Sequence, residues 1–164
     1  MIRADLVEQM VAHARRDHPD EACGILAGPE GTDRPERFVP MLNAARSMTF
    51  YEFEPTEMQR VYLDMDRRDE WSVVIYHSHT ATEAYPSRTD IAYASGPLAD
   101  PRVHHVLVST RDDATPNHTG HDLHSYRVVD GEVTEEEVQV VENYMFAHTG
   151  ASDVPDQADV PDQG

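Results

Sequence analysis

The sequence predicts a mixed α/β domain of the α+β kind, in which helices flank a central mixed sheet. Three observations support this fold class. Apolar residues recur at helical spacing in two stretches, short runs of β-branched and aromatic residues lie between and after them, and turns with Gly or Pro separate many of the runs. The predicted order of elements is αβββαβαβββ. Helices interspersed among strands are typical of a sheet that is covered by helices.

The first predicted helix spans residues 4–17 and ends before Pro19. Its apolar face is formed by five residues at helical spacing: Leu6, Val7, Met10, Val11 and Ala14. Strands are predicted next over residues 21–28, 38–42 and 49–53, because these runs are apolar or aromatic and are separated by loops.

A second helix is predicted to begin at Pro55, since proline at the first helical position favours helix initiation. Four of its residues recur at helical spacing, and we expect the methionines among them to fill the core: Met58, Val61, Tyr62 and Met65. The elements that follow are a buried strand over 71–76, a short helix over 91–94 that ends before Gly96-Pro97, and strands over 104–110, 123–129 and 133–140.

Composition restricts the class of function. The chain of 164 residues has the length of one domain, and with a single cysteine, Cys23, it cannot form an internal disulfide. Its formal net charge is −18 and it has no lysine, which argues against nucleic-acid binding through a basic face. We find neither an apolar run of membrane-spanning length nor a signal peptide. We therefore expect a cytoplasmic protein that binds neither nucleic acid nor membrane, as a monomer or a homodimer.

The C-terminal residues differ in composition from the rest of the chain. The sequence Asp-Val-Pro-Asp-Gln occurs twice within residues 152–164, a segment with four aspartates and very little apolar surface. Such a segment cannot bury enough surface to offset the entropy lost on folding. We expect a folded domain over 1–147 and an acidic disordered tail over 148–164.

The stretch over residues 76–92 carries the strongest functional signal. His77 and His79 follow directly on a predicted strand, where side chains two residues apart point to the same face. Asp90 lies three residues after Ser87, a spacing typical of a capping box, and therefore belongs to the first turn of a helix. Two imidazoles and one carboxylate are three ligands for a divalent metal ion. They leave one position open for water, as in catalytic sites.

This spacing resembles the motif of the JAMM (MPN+) metallopeptidases, in which His-x-His is followed by seven residues and then by Ser-x-x-Asp. The motif is complete in this chain, as His77-Ser78-His79, seven residues, and Ser87-Arg88-Thr89-Asp90. Residues 21–28 resemble the upstream strand of the family, which begins with a glutamate. Over residues 2–145 the chain is similar to one subgroup, the peptidases that act on ubiquitin-like sulfur carriers.

The resemblance implies an MPN/JAB-like fold and one metal ion per chain, held by three ligands: His77, His79 and Asp90. Ligand type alone would also allow copper, nickel or iron, and it is the family that implies zinc. The resemblance further implies that Glu21 is the general base and that Ser87 donates a hydrogen bond to the oxyanion. Glu83, inside the motif loop, is an alternative base, and Ser87 could instead serve only to cap the helix.

Two further features have simpler interpretations than a functional site. Cys23 lies on a predicted strand, and we expect a small buried hydrophobic residue rather than a nucleophile. Three histidines recur at three-residue spacing near a loop, without cysteine or an ordered set of carboxylates: His118, His121 and His124. We expect these to be incidental loop histidines rather than a second metal site.

The subgroup resemblance implies a zinc peptidase that removes the C-terminal residue, cysteine, from a ubiquitin-like sulfur-carrier protein in cysteine biosynthesis. One alternative is a peptidase that trims a carrier to expose Gly-Gly for thiocarboxylate formation, and another is a deubiquitinase-like isopeptidase. A non-catalytic MPN scaffold is disfavoured because every motif position is filled. A non-haem iron oxygenase, which also uses two histidines and a carboxylate, would need more strands and fewer helices.

Overall fold

The structure of the protein, a computed structural model, describes residues 1–144. Its centre is a six-stranded sheet with strands β2 (Cys23–Pro29), β3 (Arg37–Met41), β4 (Glu70–His79), β5 (His104–Ser109), β6 (Leu123–Val129) and β7 (Glu132–Glu136). Their spatial order is β3-β2-β4-β5-β6-β7. The β4–β5 pair is parallel and the other four pairs are antiparallel, so the predicted mixed sheet is confirmed.

Three helices and two short strands complete the fold: α1 (Ala4–Asp17), α2 (Pro55–Arg67), α3 (Arg88–Ala94), β1 (Ile2–Arg3) and β8 (Val140–Val141). The strands β1 and β8 pair in parallel and form a separate small sheet. Within residues 1–144, every helix is too short or too polar to cross a lipid bilayer.

The two larger helices cover opposite faces of the sheet. The apolar face of α1 packs in one cluster with Leu26, Tyr76 and Val106. Two buried residues of α2 pack on the other face in a second cluster with Cys23, Ile25 and Met41. Burial of these two clusters removes apolar surface from water on both sides of the sheet, which is the main favourable contribution to folding.

Two predicted strands are wrong in their extent. Residues 49–53 form no strand, and this segment contributes only an isolated bridge between Asn43 and Phe53. The physical reason is that the Asn43 side chain binds the backbone of this segment and takes the place of a strand partner. The predicted strand over 133–140 is divided between β7, which pairs with β6, and β8, which pairs with β1.

Smaller differences from the prediction concern the helices and β4, the strand that carries His77 and His79. Met65 is buried as predicted, but Met58 is 39% exposed and does not fill the core. The strand predicted over 71–76 continues to His79, because its parallel pairing with β5 extends to that residue. The helix predicted over 91–94 begins at Arg88, in agreement with the predicted capping box of Ser87 and Asp90. The predicted tail over 148–164 lies outside the described residues, as does the domain limit at 147.

Candidate metal centre

The strand β4 brings two histidines to one face of the sheet. His77 pairs with Cys23 across the ladder, and cross-strand partners share a face, so His77 points to the side covered by α2. His79 lies two residues on and points the same way. Both side chains are buried, and their Nε2 atoms are 3.1 Å apart. The strand geometry alone therefore makes the two imidazoles converge.

The helix α3 brings the third group. Ser87 and Asp90 form the predicted capping box, in which Ser87 Oγ accepts from Asp90 N and Asp90 Oδ2 accepts from Ser87 N at 2.7 Å. The same Oδ2 atom lies 3.2 Å from His77 Nε2 and 3.3 Å from His79 Nε2. The capping box thus orients the carboxylate toward both histidines as well as starting the helix.

The three groups fit a single metal ion. Their three facing atoms are separated by 3.1, 3.2 and 3.3 Å. Tetrahedral coordination with bonds of about 2.0 Å separates neighbouring ligand atoms by about 3.3 Å. Within residues 1–144 this is the one group of three or more His, Cys, Asp or Glu side chains with such convergence: His77, His79 and Asp90. The predicted grouping of these residues is therefore present in the fold, and it could hold a metal.

The two imidazoles are oriented by different neighbours. His79 Nδ1 donates to the backbone carbonyl of Glu83 at 2.9 Å. When a metal ion takes the place of the proton on Nε2, the ring can therefore keep its Nδ1–H and ligate through Nε2. The ring of His77 instead stacks on Tyr51, with centroids 4.4 Å apart and an interplanar angle of 23°. A backbone carbonyl and an aromatic ring thus hold the two Nε2 atoms on the cluster.

The electrostatics of the cluster favour binding of a cation. Burial lowers the pKa of His77, which keeps its imidazole neutral and able to ligate. Burial would raise the pKa of Asp90, but hydrogen bonds with His77 and His79 outweigh burial and hold that pKa well below its usual range. An ionised carboxylate therefore lies beside two imidazoles in a region of low dielectric constant, where its attraction for a cation is strong.

Glu21 lies in the loop between α1 and β2 and is almost fully buried, at 5% exposure. Burial raises the pKa of this carboxyl to about 7, with the charge of His79 lowering it and the charge of Asp90 raising it. His79 and Asp90, two of the three cluster residues, thus act electrostatically on Glu21. The next residue, Ala22, exchanges two hydrogen bonds with Ser78, each 2.9 Å long, and these fix the loop to β4 between the two histidines.

Asn43 is a site residue that sequence reasoning missed. It is buried, and all four of its amide hydrogen-bonding positions are used. Its Nδ2 donates to the carbonyls of Glu21 and Phe50, each at 2.9 Å, and its Oδ1 accepts from the N–H groups of Ala45 and Glu52. A lone asparagine in a loop gives little sequence signal, because its partners are distant backbone groups. Asn43 thus connects the Glu21 loop to the segment that carries Tyr51.

The replacement Asn43→Ala should reduce the free energy of unfolding by about 2–4 kcal/mol, because it leaves the buried carbonyl of Glu21 and the partly buried carbonyl of Phe50 without donors. It should also reduce the rate of hydrolysis at urea concentrations well below the unfolding midpoint, where the variant is still folded, because the Glu21 loop loses its anchor. Urea unfolding and activity assays measure the two effects. The control is Asn117→Ala, which removes a comparable network in a loop near β6. Equal activities of the two variants at equal folded fraction would contradict a role for Asn43 at the site.

The raised pKa of Glu21 predicts a pH dependence of stability in metal-free protein. Between pH 4.5, the ordinary pKa, and about 7 the folded chain retains a proton that the unfolded chain has released. The free energy of unfolding therefore falls as pH rises through this window. We expect Glu21→Gln to be more stable than the wild type by about 1–3 kcal/mol at pH 8, and equally stable at pH 4.5. Urea unfolding in chelator at both pH values measures this, with the exposed Glu132→Gln as control. A stability difference between Glu21→Gln and the wild type that is the same at both pH values would contradict the raised pKa of Glu21.

The remaining sequence candidates have clear positions. Ser87 is exposed beside Asp90, and capping uses a lone pair of its oxygen, so its O–H remains available to donate. The side chain of Glu83 is exposed, and only its backbone carbonyl contacts His79. Cys23 is fully buried, and burial raises its pKa to about 12, which confirms a hydrophobic residue and excludes a nucleophile.

The three loop histidines form no common site. Each ring bonds to a different partner: His118 to the Val138 carbonyl, His121 to Glu8 and His124 to Glu135. In the described part of the chain they do not belong to the one convergent group, which is that of β4 and α3.

A large groove opens beside the metal cluster. Its volume is about 1010 Å³, and it lies between α2, α3 and the loop that precedes β5. Most of its lining is apolar or aromatic, with contributions from Tyr51, Phe53, Met58, Tyr62, Ile75 and Tyr93. Tyr51 lines the groove and also stacks on the ring of His77, so this ring lies between the groove and the cluster. The three cluster residues themselves do not line the groove. A concave apolar surface next to convergent polar groups is typical of a substrate site.

The fold is shared with known structures. The chain superposes on the solution structure of a Desulfitobacterium hafniense protein with a TM-score of 0.71 and 28% identity, over 91% of this chain and 97% of the other. It also superposes on a JAB1/MPN domain protein from Archaeoglobus fulgidus with a TM-score of 0.52 and 20% identity, over 85% and 95% of the two chains. The MPN/JAB-like architecture predicted from the motif is therefore confirmed.

Sequence comparison identifies the relatives. The chain is 64% identical over 144 residues to the CysO-cysteine peptidase of Mycobacterium tuberculosis, covering 88% of this chain and 92% of the relative. It is 33% identical over 101 residues to the desampylase of Haloferax volcanii, covering 58% and 73%. Residues 3–129 match the family described as prokaryotic homologs of the JAB domain. The chain therefore belongs to this JAB-domain family and is a peptidase of the JAMM type.

Proposed function

We propose that the protein is a zinc-dependent peptidase that removes a C-terminal cysteine from a ubiquitin-like sulfur-carrier protein, as a step of cysteine biosynthesis in the cytoplasm. The observation that carries the chemistry is the convergence of three candidate ligand atoms beside a buried carboxyl group. Identity of 64% to a CysO-cysteine peptidase over nearly the whole of both chains supports the substrate. The unpaired Cys23 agrees with a reducing compartment.

The proposed metal is zinc, one ion per chain, held by His77, His79 and Asp90. Two imidazole nitrogens and one carboxylate oxygen at tetrahedral spacing suit this ion. When bound, zinc supplies a water of lowered pKa and polarises the scissile carbonyl. Three protein ligands leave the further coordination position that this chemistry needs.

Glu21 is the proposed general base and acid. A proton must pass from the attacking water to the leaving amine, and a group with a pKa near the working pH does this best. Burial raises the pKa of Glu21 to about 7 in the metal-free chain, and a bound cation would lower it. Near neutrality the carboxyl would then be ionised and able to accept the proton of the water. The hydrogen bonds of Asn43 and Ser78 to its loop hold Glu21 in place during the reaction.

Ser87 is the proposed donor to the oxyanion. Its oxygen caps α3 while its O–H remains free, and it lies three residues before Asp90, whose carboxylate faces the metal position. A preoriented donor of this kind stabilises the charge that develops on the scissile carbonyl oxygen. The capping bond keeps the side chain in one orientation, so little entropy is lost when the oxyanion forms.

Mass spectrometry of candidate carriers tests the proposed function. Carriers ending in Gly-Gly-Cys and carriers with longer tails after Gly-Gly are incubated with the zinc-loaded protein. Loss of one cysteine residue from the first set supports the proposal. Trimming only of the longer tails would support the alternative of carrier activation. Cleavage only of carrier–lysine conjugates would support an isopeptidase.

We propose that the acidic segment 148–164 takes no part in catalysis, since the matched family region ends at residue 129 and the similarity to the mycobacterial peptidase covers 88% of the chain. Deletion of 148–164 should change kcat/KM toward a carrier ending in Gly-Gly-Cys by less than about twofold, within the scatter expected for remote surface changes. Steady-state kinetics at two salt concentrations measure this. A tenfold loss would show that the tail contacts the substrate.

A further inference from the structure

The chain has thirteen arginines. Four of them make no side-chain hydrogen bond or ion pair in the described part of the chain: Arg15, Arg46, Arg67 and Arg88. In a chain with 31 acidic residues, most arginines have a carboxylate partner. An unpaired cation next to the metal cluster is therefore informative about what it binds.

Arg88 is the member of this set that lines the groove. It is the first residue of α3 and directly follows Ser87, two residues before the carboxylate that faces His77 and His79. The other groove arginine, Arg102, is already paired with Asp100 at 2.7 Å. Among the groove residues in the described chain, Arg88 is thus the one cation left to bind an anion.

Local stability does not explain an arginine at this position. The first turn of a helix favours acidic rather than basic side chains. Positions 91 and 92, where a helical partner for residue 88 would lie, are Ile and Ala and carry no charge. The Arg88 cation therefore forms no stabilising side-chain pair within α3. Its place beside the metal cluster points instead to a role in binding.

A substrate that loses only its last residue has a negative group at a defined place. Its terminal α-carboxylate lies one residue beyond the scissile bond, about 4 Å along the chain. The net charge of −18 repels such an anion, so binding it beside the metal needs a local cation. Guanidinium is suited to this because it can bind a carboxylate through two parallel hydrogen bonds.

We propose that Arg88 binds the terminal α-carboxylate of the residue that is released, and so restricts the peptidase to chains that end one residue after the scissile bond. This inference rests on the proposed function and adds a specificity residue to it. The contact selects by length, because a longer tail would place a neutral peptide group where the carboxylate should lie.

Two forms of one substrate test the inference. A ubiquitin-like sulfur carrier ending in Gly-Gly-Cys is prepared as the free acid and as the C-terminal carboxamide. We expect the wild type to prefer the acid in kcat/KM by about tenfold or more, the size of a charge-assisted hydrogen bond. Arg88→Ala should lose this preference, mainly through a higher KM for the acid, and Arg88→Lys should restore part of it because the charge returns without the planar fork.

Binding provides a readout that is independent of turnover. Both carriers are titrated by calorimetry into Glu21→Gln and into the double variant Glu21→Gln/Arg88→Ala. The acid should bind Glu21→Gln about tenfold more tightly than the amide, and the double variant should bind the two alike. Arg67→Ala removes another unpaired arginine, at the end of α2 and outside the groove, and should keep the full preference in the kinetic assay.

The outcomes separate the inference from the proposed function. Equal use of acid and amide by the wild type would overturn the role of Arg88 while leaving the peptidase activity established. A preference that survives in Arg88→Ala, or that is lost instead in Arg46→Ala, would assign the carboxylate to another group and also overturn it. Failure of the zinc-loaded wild type to cleave either carrier would overturn the proposed function, and the inference with it.

Discussion

Replacement of His77 by alanine should abolish metal binding and hydrolysis together. The side chain provides one of the three proposed ligand atoms, and its loss would leave Asp90 and His79 as an incomplete pair. Transition-state stabilisation by a bound ion amounts to several kcal/mol, so kcat/KM should fall by at least about a thousandfold. Metal content by mass spectrometry after dialysis, together with carrier hydrolysis, measures both effects.

His121→Ala is the matched control for this loss. His121 bonds to Glu8 and belongs to the loop histidines, which form no convergent group. Its replacement should leave one metal ion per chain and normal hydrolysis. If His77→Ala retained one ion per chain while His121→Ala lost it, the metal would lie among the loop histidines and the proposed ligands would be wrong.

Glu21→Gln should keep the metal and lose hydrolysis. The amide preserves the size of the side chain but cannot accept the proton of the attacking water, and a positioned base contributes about 10²- to 10⁴-fold to the rate. The wild type should lose activity as pH falls through the pKa of this group, because the protonated carboxyl cannot act as a base. That pKa lies at about 7 without metal, and a bound cation would lower it. A pH profile of kcat/KM, with metal content at each pH, tests the prediction.

Glu83→Gln distinguishes the two candidate bases. The Glu83 side chain is exposed, so its replacement should leave the rate unchanged. A rate loss confined to Glu83→Gln would transfer the role of base to the motif loop. Loss of metal in Glu21→Gln would instead make Glu21 a ligand and contradict its assignment as a base.

Local sequence patterns were sufficient to predict how most of the candidate site is arranged. Alternation along a strand placed His77 and His79 on one face, and the spacing of Ser87 and Asp90 predicted a capping box that the fold contains. Both patterns depend on interactions between residues a few positions apart. Such interactions are encoded directly in the order of residues along the chain, and they hold in almost any tertiary context.

Interactions between distant segments were not predictable in the same way. Residues 49–53 have the composition of a strand, yet Asn43 binds their backbone and holds them as a loop against the site. Met58 has the spacing of a core residue, yet it lies exposed in the groove beside α2. Asn43 lies seven and nine residues from the groups that it binds, which is beyond the reach of a strand or helix pattern. The exposure of Met58 depends on how α2 packs on the sheet.

Patterns along the chain were enough to predict the mixed fold class, the convergence of two imidazoles with one carboxylate, and the family. Three features are visible only in the folded chain. The Glu21 carboxyl is buried, which raises its pKa to about 7, Asn43 anchors the Glu21 loop, and Arg88 lines an apolar groove without a partner among the described residues. The physical reason is that burial and electrostatic environment depend on the packing of segments remote in sequence. Strand alternation and helix capping depend only on neighbours.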